Sequence, residues 1–379
     1  MKAVGIIAEY NPFHNGHQYH IEEAKKNTNA DVTIAAMSGN FTQRGEPTIL
    51  DKWHRANEAL HNGIDVVVEL PLAFSVQPSH LFAQGALTIL DALKVSDIVF
   101  GAEHSDWNFE RLVRSEKNFD KNQFELYNET FATAFNEQLK QNTGIELTDP
   151  NDILAFSYFK AKKSIHASAN LLPIKRIGNK YHDLEISGRF SSASSIRSSI
   201  ANGSFDFVNS VPDITKKDLL NIKKLGTWEN LYPYLRYTLI QSPVSELCGI
   251  YQMAEGLEYR MKSVAENASS FDEFIRELKT KRYTYSRLIR VSLYALLHIT
   301  DGEMSEHYQT PYIRILGFNR RGQQYLHEIR KKLHMQAFTR LSRDQKVGVA
   351  QLDFRAGKMY QMINHSEQQD MKRKPIILL

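Results

Sequence analysis

The first hundred residues alternate short apolar runs with amphipathic stretches, and this alternation restricts the fold more than any other feature. Residues 3–8, 32–37, 66–70 and 98–100 have the length and composition of buried strands. Between them, residues 17–30, 52–62 and 79–93 carry helical periodicity. A strand–helix repeat of this kind implies a parallel sheet with right-handed crossovers, helices on both faces, and ligands at the carboxyl ends of the strands. The expected fold class is α/β: a Rossmann-like parallel-sheet domain over residues 1–205, followed by a mostly α-helical domain over 206–379.

Residues 110–144 are helical and charged and read as an insertion or cap. Residues 172–177 add a strand candidate, and 194–201 read as a helix capped by serine hydroxyls and closed near Gly203. Beyond Pro212 the strand signals fade. Residues 245–265, 271–281, 288–299 and 322–333 read as helices, and 366–374 as a mobile tail.

The single cysteine, Cys248, rules out an internal disulfide framework and a multi-cysteine zinc site and fits a reducing compartment. Glu9 and Asn11-Pro12 break the apolar opening too early for a signal peptide, and no apolar run approaches the roughly 18 residues of a membrane span. A cytoplasmic protein with no membrane partner is expected. The net charge of +4 divides into −4 over residues 1–200 and +8 over 201–379. Such asymmetry suits a polyanion-binding half beside a near-neutral catalytic one, or a solvated helical surface.

The loops after the strands are the unusual parts. The first places His14-Asn15-Gly16-His17 at a helix start directly after a strand. A helix N-terminus offers free N–H groups and a positive dipole to phosphate, and Gly16 permits close backbone approach. His14 and His17, three apart, can aim N–H donors at one phosphate and stabilise charge that grows as its phosphorus is attacked. The pair could also cap the helix, pack in the core or hold a metal. No third ligand accompanies them, since His20 stands on the same helix and no Cys or acidic cluster follows.

His14-Asn15-Gly16-His17 resembles the first signature of the HIGH-type nucleotidyltransferases, and Ser191-Ser-Ala-Ser-Ser195-Ile196-Arg197 resembles their second. Four blocks resemble more closely the bacterial tRNA(Met) cytidine acetate ligase family: residues 5–17, Ser38-Gly-Asn-Phe-Thr-Gln-Arg-Gly-Glu-Pro47, Pro150-Asn-Asp-Ile-Leu154 and Lys175-Arg-Ile-Gly-Asn-Lys-Tyr-His182. The resemblance spans the catalytic half, and the basic helical half agrees in kind. It implies a nucleotidyltransferase-like catalytic domain and a two-step ligase. Acetate attacks the α-phosphate of ATP to give acetyl-adenylate and pyrophosphate, and the N4 amine of the wobble cytidine of elongator tRNA(Met) then takes the acetyl group, forming N4-acetylcytidine. By the family pattern His14 and His17 are catalytic. ATP is bound by Ile7, Ala8, Glu9, Tyr10, Asn11, Pro12, Phe13, His14, Asn15, Gly16, His17, Gln18, Tyr19 and His20, with Gly101, Asn151 and Arg176.

The residues themselves accord with this. Gly101 ends a strand where a side chain would meet adenosine, though turn glycines are common there. Asn151 suits a helix N-cap or a nucleotide hydrogen bond. Arg176 and Arg197 offer forks of donors to polyphosphate, or surface salt bridges. The loop 38–47 is too polar and too rich in Gly, Asn and Gln to be core; with Asn40, Gln43 and Arg44 as donors it suits the small carboxylate or the incoming cytidine, or is a solvated loop. Asp51 at a helix start is a dipole-stabilising acid or a weaker catalytic candidate. Arg320-Arg321, Arg330-Lys331-Lys332, Arg340, Arg343 and Lys346 form one basic set; Lys279, Lys281, Arg282, Arg287 and Arg290 interleave with Tyr283 and Tyr285 in another, a composition suited to RNA or to a packed helical core. Mg2+ is expected with ATP, and no residue identifies its ligands. Two other readings fit: a nucleotidyltransferase acting on a small phosphorylated metabolite without RNA, and a non-catalytic nucleotide-sensing RNA-binding protein, against which intact His14, Gly16 and His17 speak.

Overall fold

The early apolar runs become strands where their composition places them. A computed structural model describes residues 1–119, 131–176, 189–280 and 282–379. Its first half contains β1 (Ala3–Ala8), α1 (Asn15–Thr28), β2 (Val32–Ser38), α2 (Lys52–His61), β3 (Val66–Leu70), α3 (Leu72–Ser75), α4 (Ser79–Ala92), β4 (Asp97–Ala102), α5 (Phe109–Ser115), α6 (Phe131–Thr143), α7 (Pro150–Ile165), β5 (Asn170–Lys175) and α8 (Ala193–Ala201). These five strands are parallel and ordered β5-β4-β1-β2-β3. The chain steps outward from β1 to β3 and then restarts on the other side of β1, so the strand order reverses between β1 and β4. In open α/β sheets that reversal opens a crevice at the carboxyl ends.

Alternation along the strands feeds two cores. Ala3, Ile34, Val66 and Val68 face α4, α7 and neighbouring helices on one side; Val4, Ile6, Ala35 and Val67 face α1 and α2 on the other. The 110–144 region packs through Leu112, Val113 and Leu139 into the first of these cores, and its residues 120–130 lie outside the described residues.

The second half contains α9 (Asp213–Leu220), α10 (Trp228–Gln241), α11 (Val244–Leu247), α12 (Leu257–Asn267), α13 (Phe271–Leu278), α14 (Tyr285–Leu296), α15 (Asp301–Gln309), β6 (Ile313–Asn319), α16 (Arg320–Ile329), β7 (Ala337–Phe338), α17 (Arg343–Val347), α18 (Gln351–Asn364) and β8 (Ile376–Leu378). The reading of residues 245–265 as one helix is corrected: left-handed backbone at Gln252, Glu255 and Gly256 separates α11 from α12.

The expectation that strands end near Pro212 is also corrected. β6 pairs antiparallel with β3, and β7 and β8 pair with β6, so the sheet crosses the expected boundary at residues 205/206. One strand among helices, with Arg314 as its second residue, has no local repeat to announce it. The helical core likewise takes in Phe41, Leu72, Ala73 and Val76 from the first half.

Two further expectations fail for a shared reason. In the tail 366–374, Gln369 and Asp370 are buried; Trp53 Nε1 donates to Gln369 O at 2.7 Å, and Lys52 Nζ to Asp370 Oδ1 at 2.7 Å. The loop 38–47, read as too polar for the core, is largely buried, with Asn40 donating to Gln369 and accepting from Lys52 N. Polarity excludes a segment from the interior only when its polar groups lack partners there.

Candidate active site

A cavity of about 610 Å3 opens at the carboxyl ends of β1 and β4, at the reversal in strand order. The amino ends of α1, α7 and α8 reach it, contributing Gly16, Pro150, Asn151, Ser192 and Ser194. The positive ends of three helix dipoles thus converge on one space. Lys175, Arg176, Arg44, Arg197 and Arg290 line it against two acids, Glu9 and Glu46. Such a balance favours a polyanion.

The two histidines are both cap and cavity wall. His14 is the N-cap of α1: its Nδ1 accepts from Gly16 N–H at 3.1 Å, and His17 Nδ1 accepts from His14 N–H at 3.2 Å. This is a capping box with imidazoles in place of the usual hydroxyl and carboxamide. Because each Nδ1 accepts, the proton of each neutral ring sits on Nε2. The rings stack at 3.7 Å, so two Nε2–H donors lie side by side, without partners among the described residues. Burial, with Arg176 and Arg197 adding to it, holds His14 down to about 3; burial, with His14, His20 and Arg176, holds His17 well below the ordinary imidazole value. Both are neutral donors at pH 7, suited to growing charge on a phosphoryl oxygen. A Cβ on Gly16 would stand 2.9 Å from the His14 ring, so glycine is required by the cap as well as by ligand approach.

Ile7, Ala8, Glu9, Tyr10, Asn11, His14, Gly16, His17, Tyr19 and His20 line the cavity, as do Gly101, Asn151, Arg176 and Arg197. Pro12, Phe13, Asn15 and Gln18 do not. Phe13 is buried against Tyr10 and His17, and the Asn15 amide donates to Arg189 O and Asn209 O, tying the motif to the chain around α8. His20 Nε2 donates to Val99 O at 3.1 Å, locking α1 onto β4; burial lowers its pKa to about 4. Asn151 is not the N-cap of α7: Asp149 holds that position and Pro150 the first helical one, while the Asn151 amide donates to Glu103 at 2.5 Å. Arg176 lies 3.9 Å from Glu103. Arg197 donates to Asn11 O at 2.8 Å, tying the second signature to the turn that precedes the first, and Ser192 caps α8. Residues 177–182 of the fourth block lie outside the described residues.

Of the loop donors, Gln43 and Arg44 line the cavity; Asn40 is internal, for the reason given above. Gln43 N–H donates to Glu9 Oε1 at 2.6 Å, and burial raises the Glu9 carboxyl despite that bond. Asp51 is the N-cap of α2, accepting from Trp53 N and His54 N, and does not line the cavity.

Sequence reasoning missed one residue that shapes this wall. Arg55, fully buried, donates to Leu50 O, Glu9 O, Ser38 O and Gly39 O, clamping the ends of β1 and β2 together. Nothing in its amphipathic helix signalled that role. Tyr10 has a left-handed backbone (φ 50°), and its buried hydroxyl has no hydrogen-bond partner among the described residues. Such conformations cost about 1–3 kcal/mol and cluster at ligand sites.

Among the described residues His104, Asp149 and Asp152 form a group with metal-ligand spacing. His104 Nδ1 already bonds Asp152 at 2.6 Å, and that bond raises its pKa, so the imidazole is an ion-pair donor rather than a ligand. The basic sets also separate. Antiparallel pairing of β6 puts Arg320 and Arg321 at the end of the sheet away from the cavity, and α16 runs along that end, with its Tyr325 hydroxyl donating to Leu93 O just before β4 and Glu328 paired with the Met1 amino group at 3.0 Å, so Arg330, Lys331 and Lys332 follow from that end as well. Tyr283 is buried with its hydroxyl bonded to Glu255 O, so it does not stack on bases, while Tyr285 is exposed; Lys281 lies outside the described residues.

A family model described as HIGH Nucleotidyl Transferase matches residues 1–374. The tRNA(Met) cytidine acetate ligase of Limosilactobacillus reuteri is 53% identical over 378 residues, covering 100% of both chains. That of Lactiplantibacillus plantarum is 43% identical over 377 residues, covering 99% of this chain and 98% of the relative. Among solved structures, apo Thermotoga maritima TmcAL superposes with a TM-score of 0.92 at 31% identity, and TmcAL bound with alpha-thio ATP with 0.89 at 30%; each covers 100% of both chains.

Proposed function

Because the chain belongs to the HIGH nucleotidyl transferase family and, within it, to the tRNA(Met) cytidine acetate ligases, we propose that it joins acetate to the wobble cytidine of elongator tRNA(Met) at the expense of ATP. The observation that carries this reading is the imidazole capping box, which leaves two Nε2–H donors beside a bare glycine at the mouth of a cationic cavity. ATP lies with its adenosine toward Gly101 and Asn151 and its phosphates toward the amino ends of α1 and α8. Arg176 and Arg197 face the phosphate chain.

An acetate oxygen attacks the α-phosphorus, the bond to the bridging oxygen breaks, and pyrophosphate leaves with that electron pair. His14 and His17 hold the charge that accumulates on the non-bridging oxygen. The N4 amine of cytidine then attacks the acetyl carbon, AMP leaves, and the amine loses a proton to yield N4-acetylcytidine. Among the described residues Glu9 and Glu46 are the carboxylates lining the cavity, and they would hold a Mg2+ carried by the triphosphate. An ion held there would supply charge neutralisation for the departing pyrophosphate.

The deciding experiment is mass analysis of tRNA(Met) nucleosides after incubation with labelled acetate, with and without ATP. Labelled N4-acetylcytidine that requires ATP and no acetyl-CoA is the expected result. A strict requirement for acetyl-CoA would overturn the reading.

The tRNA is proposed to meet exposed cations of the basic second half. Replacing Arg330, Lys331 and Lys332 with alanine is expected to weaken tRNA binding and to reduce the slope of log affinity against log salt by about 2, roughly 0.7 for each phosphate no longer neutralised. Titration at several salt concentrations checks this; an unchanged slope removes that patch from the interface.

A further inference from the structure

The adenosine side of the cavity is built by β4, β5 and α7. The opposite side is built by the loop after β2, the start of α4 and α14, through Gln43, Arg44, Ser79, Phe82 and Arg290. Arg290 stands out there. It is only 7% exposed, it lines the cavity, and it makes no hydrogen bond or ion pair to any described residue; its Nε is shut off from solvent without a partner. Burial depresses its pKa, and the groups that act on it include Tyr294, Tyr251, Arg287 and Arg44, with His80 and Tyr308 also in its field; none of these is a carboxylate. A buried guanidinium opposed by like charges is costly unless an anion completes it.

The position is held by the fold. Gly45 takes a left-handed backbone (φ 85°), and a Cβ there would meet Arg290 Cα at 3.1 Å, so the β2 loop lies directly on the α14 backbone. Trp228 Nε1 donates to Gly45 O at 3.1 Å and pins the loop in place. The anion must be small, because a phosphodiester with a nucleoside on each side is too bulky for a guanidinium so enclosed. It should be planar, to match the fork of donors. Phe82, 3% exposed on the same wall, offers an apolar flank to a methyl group.

We propose that Arg290 is the carboxylate receptor of this site and orients the small carboxylic acid whose oxygen attacks the α-phosphorus. This rests on the ligase reading above and names the group that places its second substrate.

The test uses the full-length protein, with Arg290→Lys, which keeps the charge and loses the fork, and Arg290→Met, which loses both. Acetate-dependent ATP–pyrophosphate exchange is measured over a range of acetate, beside the affinity for alpha-thio ATP and the ligand-free melting temperature. The expected result is a KM for acetate at least about 30-fold higher in both variants, as for truncation of a buried charge pair. Nucleotide affinity should be unchanged, and Arg290→Met should melt at or above the wild-type temperature, since an unpaired buried charge is gone. Should the Met variant melt early, the Lys variant alone decides. A wild-type KM for acetate, or a loss confined to tRNA affinity, would overturn the proposal. A wild-type protein that exchanges no pyrophosphate with acetate would sink the ligase reading itself.

Discussion

His17→Ala should lower acetate-dependent pyrophosphate release at least about 100-fold, the range seen when a donor to a developing oxyanion is removed. Two losses combine. The Nε2–H donor disappears, and so does the acceptor that ties down His14 N–H at 3.2 Å, leaving the neighbouring ring without its stacking partner at 3.7 Å. His14→Ala should act similarly, and the double variant should fall well short of the product of the single effects, because each ring fixes the other. The pH profile adds a separate check. With His14 depressed to about 3 by burial, Arg176 and Arg197, and His17 held low by burial and its neighbours, kcat/KM should show no imidazole titration between about pH 6 and 8. Wild-type turnover in His17→Ala would refute the assignment. A rate falling as pH rises through about 6.5 would show instead that a protonated ring is at work.

The other large effect concerns stability. Lys52 Nζ bonds Glu69 Oε1 and Asp370 Oδ1, each at 2.7 Å, and Arg314 completes the group, 3.1 Å from Glu69 Oε2 and bonded to Asp370. All four side chains are buried. Two cations and two anions balance, so Lys52→Met leaves two carboxylates around one guanidinium. The expected cost is about 3–5 kcal/mol in urea unfolding. Lys52→Met with Asp370→Leu restores one cation to one anion and should recover a large part of that loss, a coupling that a double-mutant cycle reads directly.

The same group sets the acid limb of stability. Burial alone would raise the Asp370 carboxyl, but Lys52 and Arg314 outweigh it and hold the pKa below the ordinary range. A depressed carboxyl contributes stability that is present above the unfolded value, about 3.9, and is lost as pH falls through the folded value. Acid unfolding of the wild type should therefore begin below about pH 4. A Lys52→Met variant as stable as the wild type would show that the network contributes nothing.

Local signals reached a long way into this protein. Apolar runs of the right length announced β1 to β4, an Asn-Pro turn before His14-Asn15-Gly16-His17 marked the start of α1, and the serines before Ile196 marked the cap of α8. Strand, loop and helix start are consecutive in the chain, so backbone geometry alone brings the first signature to the carboxyl end of β1. That the two histidines would be both cap and phosphate donors was not separable in advance: the cap fixes the tautomer, and the tautomer leaves Nε2–H facing outward.

Partners far apart in the chain were beyond such reading. Lys52 meets Asp370 across 318 positions, and Asn40 meets Gln369 across 329, so segments that looked like solvated loop and free tail are interior. Arg290 looked like one cation in a basic run until α14 laid it against Gly45 and closed water away from it. Periodicity and capping depend on neighbours within a turn or a strand pair, and these the amino-acid order carried by itself. Whether a charge is solvated, paired or left waiting for a ligand depends on which distant surface covers it, and only the tertiary packing decided that.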